Sequence, residues 1–256
     1  MNMGLEGKVI VITGAASGIG LAVARLAQAE GAGALVLTDR DAAGCEKAAA
    51  EIGGASAVVV ADLADPAAPA EIAQAAKARF GRIDGLVNAA GLTTHASLVT
   101  GTIEVWDQLF AVNARAGFFL MQEAVADMTA RKAPGSIVNI LSMNALCGVP
   151  ALAIYSASKG AMATLTRNTA RAHMADRIRV NGINLGWIDT PAERHMQSVV
   201  LGRGEGWLAE DSAAMPLGRL ITAEEAARLA VFLLGEASAP MSGSIVDFEQ
   251  KVAGAI

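Results

Sequence analysis

Tyr155 and Lys159 stand four residues apart in Tyr155-Ser156-Ala157-Ser158-Lys159, and Ser142 lies thirteen residues before the tyrosine. On a helix, residues four apart stack on one face, so the phenol and the ammonium project side by side. A free tyrosine ionises near pH ~10 and is a weak base at neutral pH. A fixed positive charge beside it favours the phenolate and draws that value toward the working pH, as an acid/base group requires. Ser142 follows the apolar, strand-like run 136–141, a position that brings its hydroxyl beside the phenol. Tyr and Lys at this spacing are also common on helices that do no chemistry, so the reading depends on what surrounds them.

Apolar runs rich in β-branched residues alternate along the chain with alanine-rich helical patterns. Strands are expected at 9–12, 35–38, 57–60, 83–87, 136–141, 178–183 and 244–246. Helices are expected near 41–52, 66–80, 103–131, 151–174 and 223–234, with a first one after residue 18. Strands apolar throughout, rather than alternating, imply a parallel sheet covered by helices on both faces. The rhythm gives an α/β fold, a Rossmann-type doubly wound parallel sheet of about seven strands. Residues 190–219 read as an irregular substrate loop, mixing glycines and charges. Residues 1–256 are expected to form a single domain, large enough to bury a core without disulfides or metals.

Hydrophobic residues make up 53% of the chain and the mean hydropathy is +0.42, but alanine accounts for much of both. The longest uncharged stretch, 133–158, is broken by Pro134, Gly135, Asn139, Asn144, Gly148 and Pro150, so it does not read as a membrane span. The polar start shows no signal-peptide pattern. Cys45 and Cys147 are far apart and outside any CxxC arrangement, which suits a reducing cytoplasm. His95, His173 and His195 show no metal-ligand spacing, so no metal is expected. A net charge of −5 without a basic block argues against nucleic acid.

After the first strand comes Thr13-Gly14-Ala15-Ala16-Ser17-Gly18-Ile19-Gly20. Gly14 permits a tight turn, Gly18 lets backbone approach a pyrophosphate, and Gly20 lets the helix pack close to the sheet. The helix N-terminus then offers free N–H groups and a positive dipole end. Asp39 ends the second strand, where a carboxylate accepts from adenosine ribose hydroxyls. Asp41 reads as a helix N-cap. Asp62 and Leu63 follow the third strand, where Asp62 either reaches the adenine or caps the loop. Asn88, Ala89 and Gly91 end the fourth strand at its carboxyl edge, where such sheets bind ligands.

Together these residues resemble the classical short-chain dehydrogenase/reductase family over nearly the whole chain. The TGxxxGxG pattern is Thr13 to Gly20, N-x-A-G is Asn88 to Gly91, and Y-x-x-x-K is Tyr155 and Lys159; Ser142 matches the catalytic serine and Asn113 the catalytic asparagine. The resemblance implies hydride transfer between a nicotinamide and a carbonyl or secondary alcohol. Tyr155 moves the proton, Ser142 holds the oxygen, Lys159 binds the nicotinamide ribose, and Asn113 positions a water. Ser17, Ile19, Gly186, Ile188 and Thr190 join the cofactor contacts. Asp39 selects NAD, and Arg40 softens the bias against a 2′-phosphate.

Two departures fall on the substrate side. Leu185 replaces the proline of the nicotinamide loop, which predicts a less rigid loop, and the usual V-D-G-G reads Val246-Asp247-Phe248-Glu249. Substrate contacts are expected from His95, Ser142, Asn144, Tyr155, Trp187, Glu193 and His195. Their hydrogen-bonding side chains favour a sugar or polyol, with a hydroxy acid or simple secondary alcohol as the alternative. A dinucleotide sensor without turnover is the alternative of another class. The resemblance also implies a homotetramer, and the tail from Phe248 to Ile256 is expected to close a neighbouring subunit's site.

Overall fold

Residues whose side chains point to opposite faces of a strand are apolar on both sides here, which only a doubly covered sheet explains. The computed structural model describes residues 3–146 and 148–251; Cys147 and the end of the tail lie outside the described residues. In β1 (Val9–Thr13) every residue is buried. Ile10 and Ile12 pack with α1 (Gly18–Ala29) and α9 (Ala223–Leu234), while Val11 packs on the other face. That second layer contains α3 (Ala68–Phe80), α5 (Ala116–Ala130) and α6 (Ala153–His173).

The remaining strands of the main sheet are β2 (Ala34–Asp39), β3 (Ser56–Val60), β4 (Gly85–Asn88), β5 (Gly135–Ser142), β6 (Ile178–Leu185) and β9 (Ile245–Phe248). They lie in the order β3-β2-β1-β4-β5-β6-β9, every pairing parallel. Strand order therefore reverses between β1 and β4, and the crevice above their carboxyl ends is where such sheets take ligands. Two short strands, β7 (Ile188–Asp189) and β8 (Ile221–Thr222), pair separately beyond that edge.

The helix expected over 103–131 is three pieces. α4 (Ile103–Phe110) passes through a π-helical turn, Ala111–Arg115, into α5. The wider turn changes the facing of the residues that follow, and Asn113 within it is 4% exposed.

The stretch expected to be irregular is also ordered. It contains α7 (Pro191–His195), a π turn Met196–Val200, and α8 (Trp207–Ala213). These pieces are too short and too polar for a clear amphipathic period, and their order comes from packing and caps. Leu185, the residue expected to loosen the loop that follows, ends β6 in register with Ser142 and Phe248. A proline there would bring no N–H to the ladder, whereas leucine does.

Candidate active site

The turn after β1 is shaped by glycine. Gly14 and Gly18 hold φ of +68° and +52°, and a Cβ on Gly20 would run into the Gly14 carbonyl. Ser17 stands as the extended N-cap of α1 with no capping bond from its side chain, and no acidic residue occupies the first turn. No side chain of the first turn itself therefore opposes the N–H groups and positive end of α1. Across the switch point, the Thr13 hydroxyl accepts from the N–H groups of Ala89 and Ala90, each at 3.0 Å. This cradle fits a dinucleotide pyrophosphate.

At the end of β2, Asp39 accepts from the N–H groups of Ala16 and Asp41 at 3.4 and 3.1 Å, so its carboxylate is fixed in place. Asp41 caps α2 (Ala42–Ile52) as expected. The buried Cys45 thiol beneath is pushed up to about 11, first by burial and then by the charges of Asp39, Asp41 and Glu46. The local field is therefore negative. Arg40 is exposed. Asp62 caps its own loop through the Ala64 N–H at 2.9 Å, the second of the two roles its sequence allowed. The Leu63 side chain is buried in the core, which leaves only its backbone for a ligand.

Asn88 turns inward. Its amide donates to Asn139 at 2.8 Å, and Asn139 donates in turn to Thr166 at 2.9 Å. The Asn88 side chain thus braces β4 against β5 and α6, while Gly91 beyond it lies against the Lys159 ammonium: a Cβ there would approach Nζ at 3.3 Å.

Lys159 is 5% exposed and donates to the Ile140 carbonyl at 2.9 Å. Its Nζ sits 5.9 Å from the Tyr155 ring centre. Burial pulls its pKa down to about 8. Tyr155 corrects the sequence-based expectation: burial pushes its pKa up, hydrogen bonding with Ser142 and then Thr93 pulls it down, and the charge of Glu193 raises it again. Lys159 does not set the phenol's pKa here, because its ammonium is turned to a carbonyl of β5. Ser142 is 7% exposed and accepts from the Asn144 backbone N–H at 3.2 Å.

Asn113 clamps three elements. Its Oδ1 accepts from the Leu92 N–H at 2.8 Å, and its Nδ2 donates to the Leu92 carbonyl at 2.9 Å and to Ser158 Oγ at 3.0 Å. Ser158 donates onward to the Tyr155 carbonyl at 2.7 Å. The clamp holds the loop that carries Thr93, a site residue that the sequence reading missed. Its only signal was its place two residues after Gly91.

On the substrate side, Trp187 Nε1 donates to Glu193 Oε1 at 2.7 Å, and Gln197 Nε2 donates to the same oxygen at 2.8 Å. Trp187 also stacks on the buried Trp207, ring centres 5.8 Å apart. Thr190 caps α7 and lies over the glycine turn, its methyl 3.4 Å from where a Gly18 Cβ would stand. The Ile188 side chain is in the core, so only its backbone is open to a cofactor. His95 and His195 are exposed. The Gly186 N–H donates to the Phe248 carbonyl at 3.0 Å, and Gln250 holds the Leu217–Arg219 turn through Leu217 N–H and the Arg219 carbonyl.

A family model described as "Enoyl-(Acyl carrier protein) reductase" matches residues 14–249, from the glycine turn through β9. The chain belongs to the short-chain dehydrogenase/reductase family. The inactive 2-(S)-hydroxypropyl-CoM dehydrogenase 2 of Xanthobacter autotrophicus is 40% identical over 217 residues, 84% of this chain and 93% of that one. Galactitol 2-dehydrogenase of Agrobacterium fabrum is 34% identical over 238 residues, 90% and 91% of the two chains. The crystal structure of L-sorbose reductase from Gluconobacter frateurii, complexed with NADPH and L-sorbose, matches with a TM-score of 0.91 at 30% identity over 100% of both chains.

This short-chain dehydrogenase/reductase buries an amine whose pKa falls from 10.5 to about 8, and that has a checkable consequence. Between those values the unfolded chain holds a proton that the folded chain has released, so folding gains stability as pH rises through that window. Below about 8 both forms are protonated and the full burial penalty applies. Relative to Lys159→Met, the wild type should gain on the order of 2 kcal/mol between pH 7 and pH 10. Urea denaturation of both proteins at each pH measures the gap. A gap that stays constant would show that Lys159 keeps its ordinary pKa.

Proposed function

We propose that this chain is an oxidoreductase that interconverts a secondary alcohol and a ketone, with a sugar or polyol as substrate and NAD as preferred cofactor. The observation that carries the reading is Tyr155, the chain's one tyrosine. It stands one helical turn from Lys159, with the Ser142 and Thr93 side chains close enough to its phenol to favour the ionised form, on the sheet edge that also carries the glycine turn.

A bound nicotinamide supplies the two-electron carrier. Ser142 hydrogen-bonds the substrate oxygen, and Tyr155 gives or takes the proton at that oxygen. Lys159 holds its proton at neutral pH, since about 8 lies above 7, so it can donate to a ribose hydroxyl. Asn113 positions the Thr93 loop and the Tyr155 backbone rather than touching the reacting atoms. The N–H groups of the Gly14–Gly20 turn hold the pyrophosphate, with Asp39 at the adenosine ribose. Names of relatives that act on galactitol and L-sorbose support the polyol class. The relative named as inactive favours a non-catalytic reading, but this chain keeps Ser142, Tyr155, Lys159 and Asn113 together.

NAD preference rests on the fixed Asp39 carboxylate and the negative field that also raises Cys45. A 2′-phosphate would meet like charge there, which Arg40 offsets in part. The L-sorbose reductase relative is complexed with NADPH, so the ratio of the two cofactors is the quantity to measure. A homotetramer is supported by apolar surface on α4 and α5, where Ile103, Trp106 and Phe119 are 75%, 48% and 40% exposed. Such a face calls for a partner, and symmetric closure is the usual solution.

Tyr155→Phe should leave dinucleotide binding nearly intact and lower kcat by about a thousandfold or more, because only the proton-transfer group is lost. Turnover of a polyol panel followed at the nicotinamide absorbance is the assay, and near-normal rates would sink the mechanism. Asp39→Ser should shift the NAD/NADP ratio of kcat/KM toward NADP by about tenfold or more. A wild type that already prefers NADP would mean that Arg40 governs this pocket. Sedimentation velocity at micromolar concentration should give a tetramer, and a stable monomer would refute the assembly.

A further inference from the structure

The lid from α7 to the turn before β8 has a charge pattern that bears on what it accepts. Its three arginines are all spent on neighbours. Arg194 forks onto Asp189 at 2.6 and 2.7 Å, Arg203 meets Asp211 at 2.6 Å, and Arg219 forks onto Glu225 at 2.8 and 2.7 Å. None is left to receive a carboxylate or sulfonate. Glu193 is the opposite case. It is partly buried, and its donors are neutral: the Trp187 indole and the Gln197 amide, both on Oε1. Among the described residues none donates to Oε2.

Its position is set by the strands. Leu185 is the register partner of Ser142, so Gly186 and Trp187 leave the sheet directly beside that hydroxyl. Trp187 is then held by its stack on buried Trp207, and Glu193 is held by Trp187. Gln197, 8% exposed, is itself fixed by Arg203 at 3.0 Å. The carboxylate is thereby built rigidly against the same cleft as Tyr155. Its charge works against ionisation of the phenol, an arrangement that a substrate donor would relieve.

We propose that Glu193 is a specificity-determining residue whose free carboxylate oxygen accepts a hydroxyl on the carbon next to the reacting one. The site then takes neutral vicinal diols and α-hydroxyketones and rejects 2-hydroxy acids, whose carboxylate would fall at the same place with like charge. This rests on the alcohol–ketone reading of Tyr155 given above. It also decides against the hydroxy-acid alternative.

The test compares wild type and Glu193→Gln with three C4 compounds: 2,3-butanediol, 2-hydroxybutyrate and 2-butanol. Glutamine keeps an oxygen for Trp187 and Gln197 and turns the free, charged acceptor into a neutral amide donor. The wild type should prefer the diol over the hydroxy acid by about a hundredfold in kcat/KM, and Glu193→Gln should cut that ratio by about tenfold or more. The pH limb of Tyr155, faced by Glu193 and Lys159, should move to lower pH in the variant, a change that a purely structural role would not cause. A second arm reads binding alone, by calorimetry on protein loaded with NADH or NADPH, where an alcohol cannot be oxidised. There the diol should bind the wild type more tightly than the hydroxy acid, and the variant should lose most of the difference. Equal binding of the two, binding of neither, or an equal loss for all three compounds in the variant overturns the proposal. Absence of turnover with every alcohol overturns the oxidoreductase reading instead, and the binding arm still decides Glu193.

Discussion

The three hydrogen bonds of the Asn113 side chain join the parts of the site that the sheet alone cannot align. A carboxamide that both accepts from and donates to the Leu92 backbone fixes that loop in position and in rotation. The third bond, to Ser158, carries the constraint into α6, whose next link is the Tyr155 carbonyl. The π turn makes this possible. It places Asn113 inward at a point where a regular helix would give the position another facing. Thr93, Tyr155 and the Gly91–Lys159 contact all follow from the one clamp.

Electrostatics divides the cleft in two. At the glycine turn the protein offers N–H groups and a helix N-terminus with no acid in its first turn, an environment for phosphate. At the end of β2 and within α7 it offers fixed carboxylates, Asp39 and Glu193, each held by neutral donors. Between them, burial moves Lys159 down and Tyr155 up, so both groups are brought toward their uncharged forms. A site in that condition gains most from ligands that bring hydroxyls, because each new hydrogen bond to an amine or carboxylate favours the charged form. The lid contributes no free cation to alter this balance.

The lid itself shows how short elements are ordered. α7 and α8 have five and seven residues and little intrinsic stability. They are held by the Thr190 cap, the Trp187–Trp207 stack and the chain from Glu193 through Gln197 to Arg203. The tail meets this region through the Phe248 carbonyl, which accepts from the Gly186 N–H, and through Gln250, which holds the Leu217–Arg219 turn.

Local signals determined much of this protein from sequence alone. Runs of β-branched residues marked the seven strands of the main sheet because a doubly covered strand must be apolar on both faces. The glycines of the first turn, the i,i+4 pair of Tyr155 and Lys159, and the Asp41 cap were legible because each depends on a few neighbouring residues. Tertiary structure decided the rest. The π turn at Asn113, the role of Thr93, the Lys159 bond to Ile140 and the Glu193 donors all join residues distant in sequence or rely on packing across elements. Burial, which reversed the expected direction of the Tyr155 shift, is a property of the folded surroundings. No spacing of residue types encodes how much water a side chain loses.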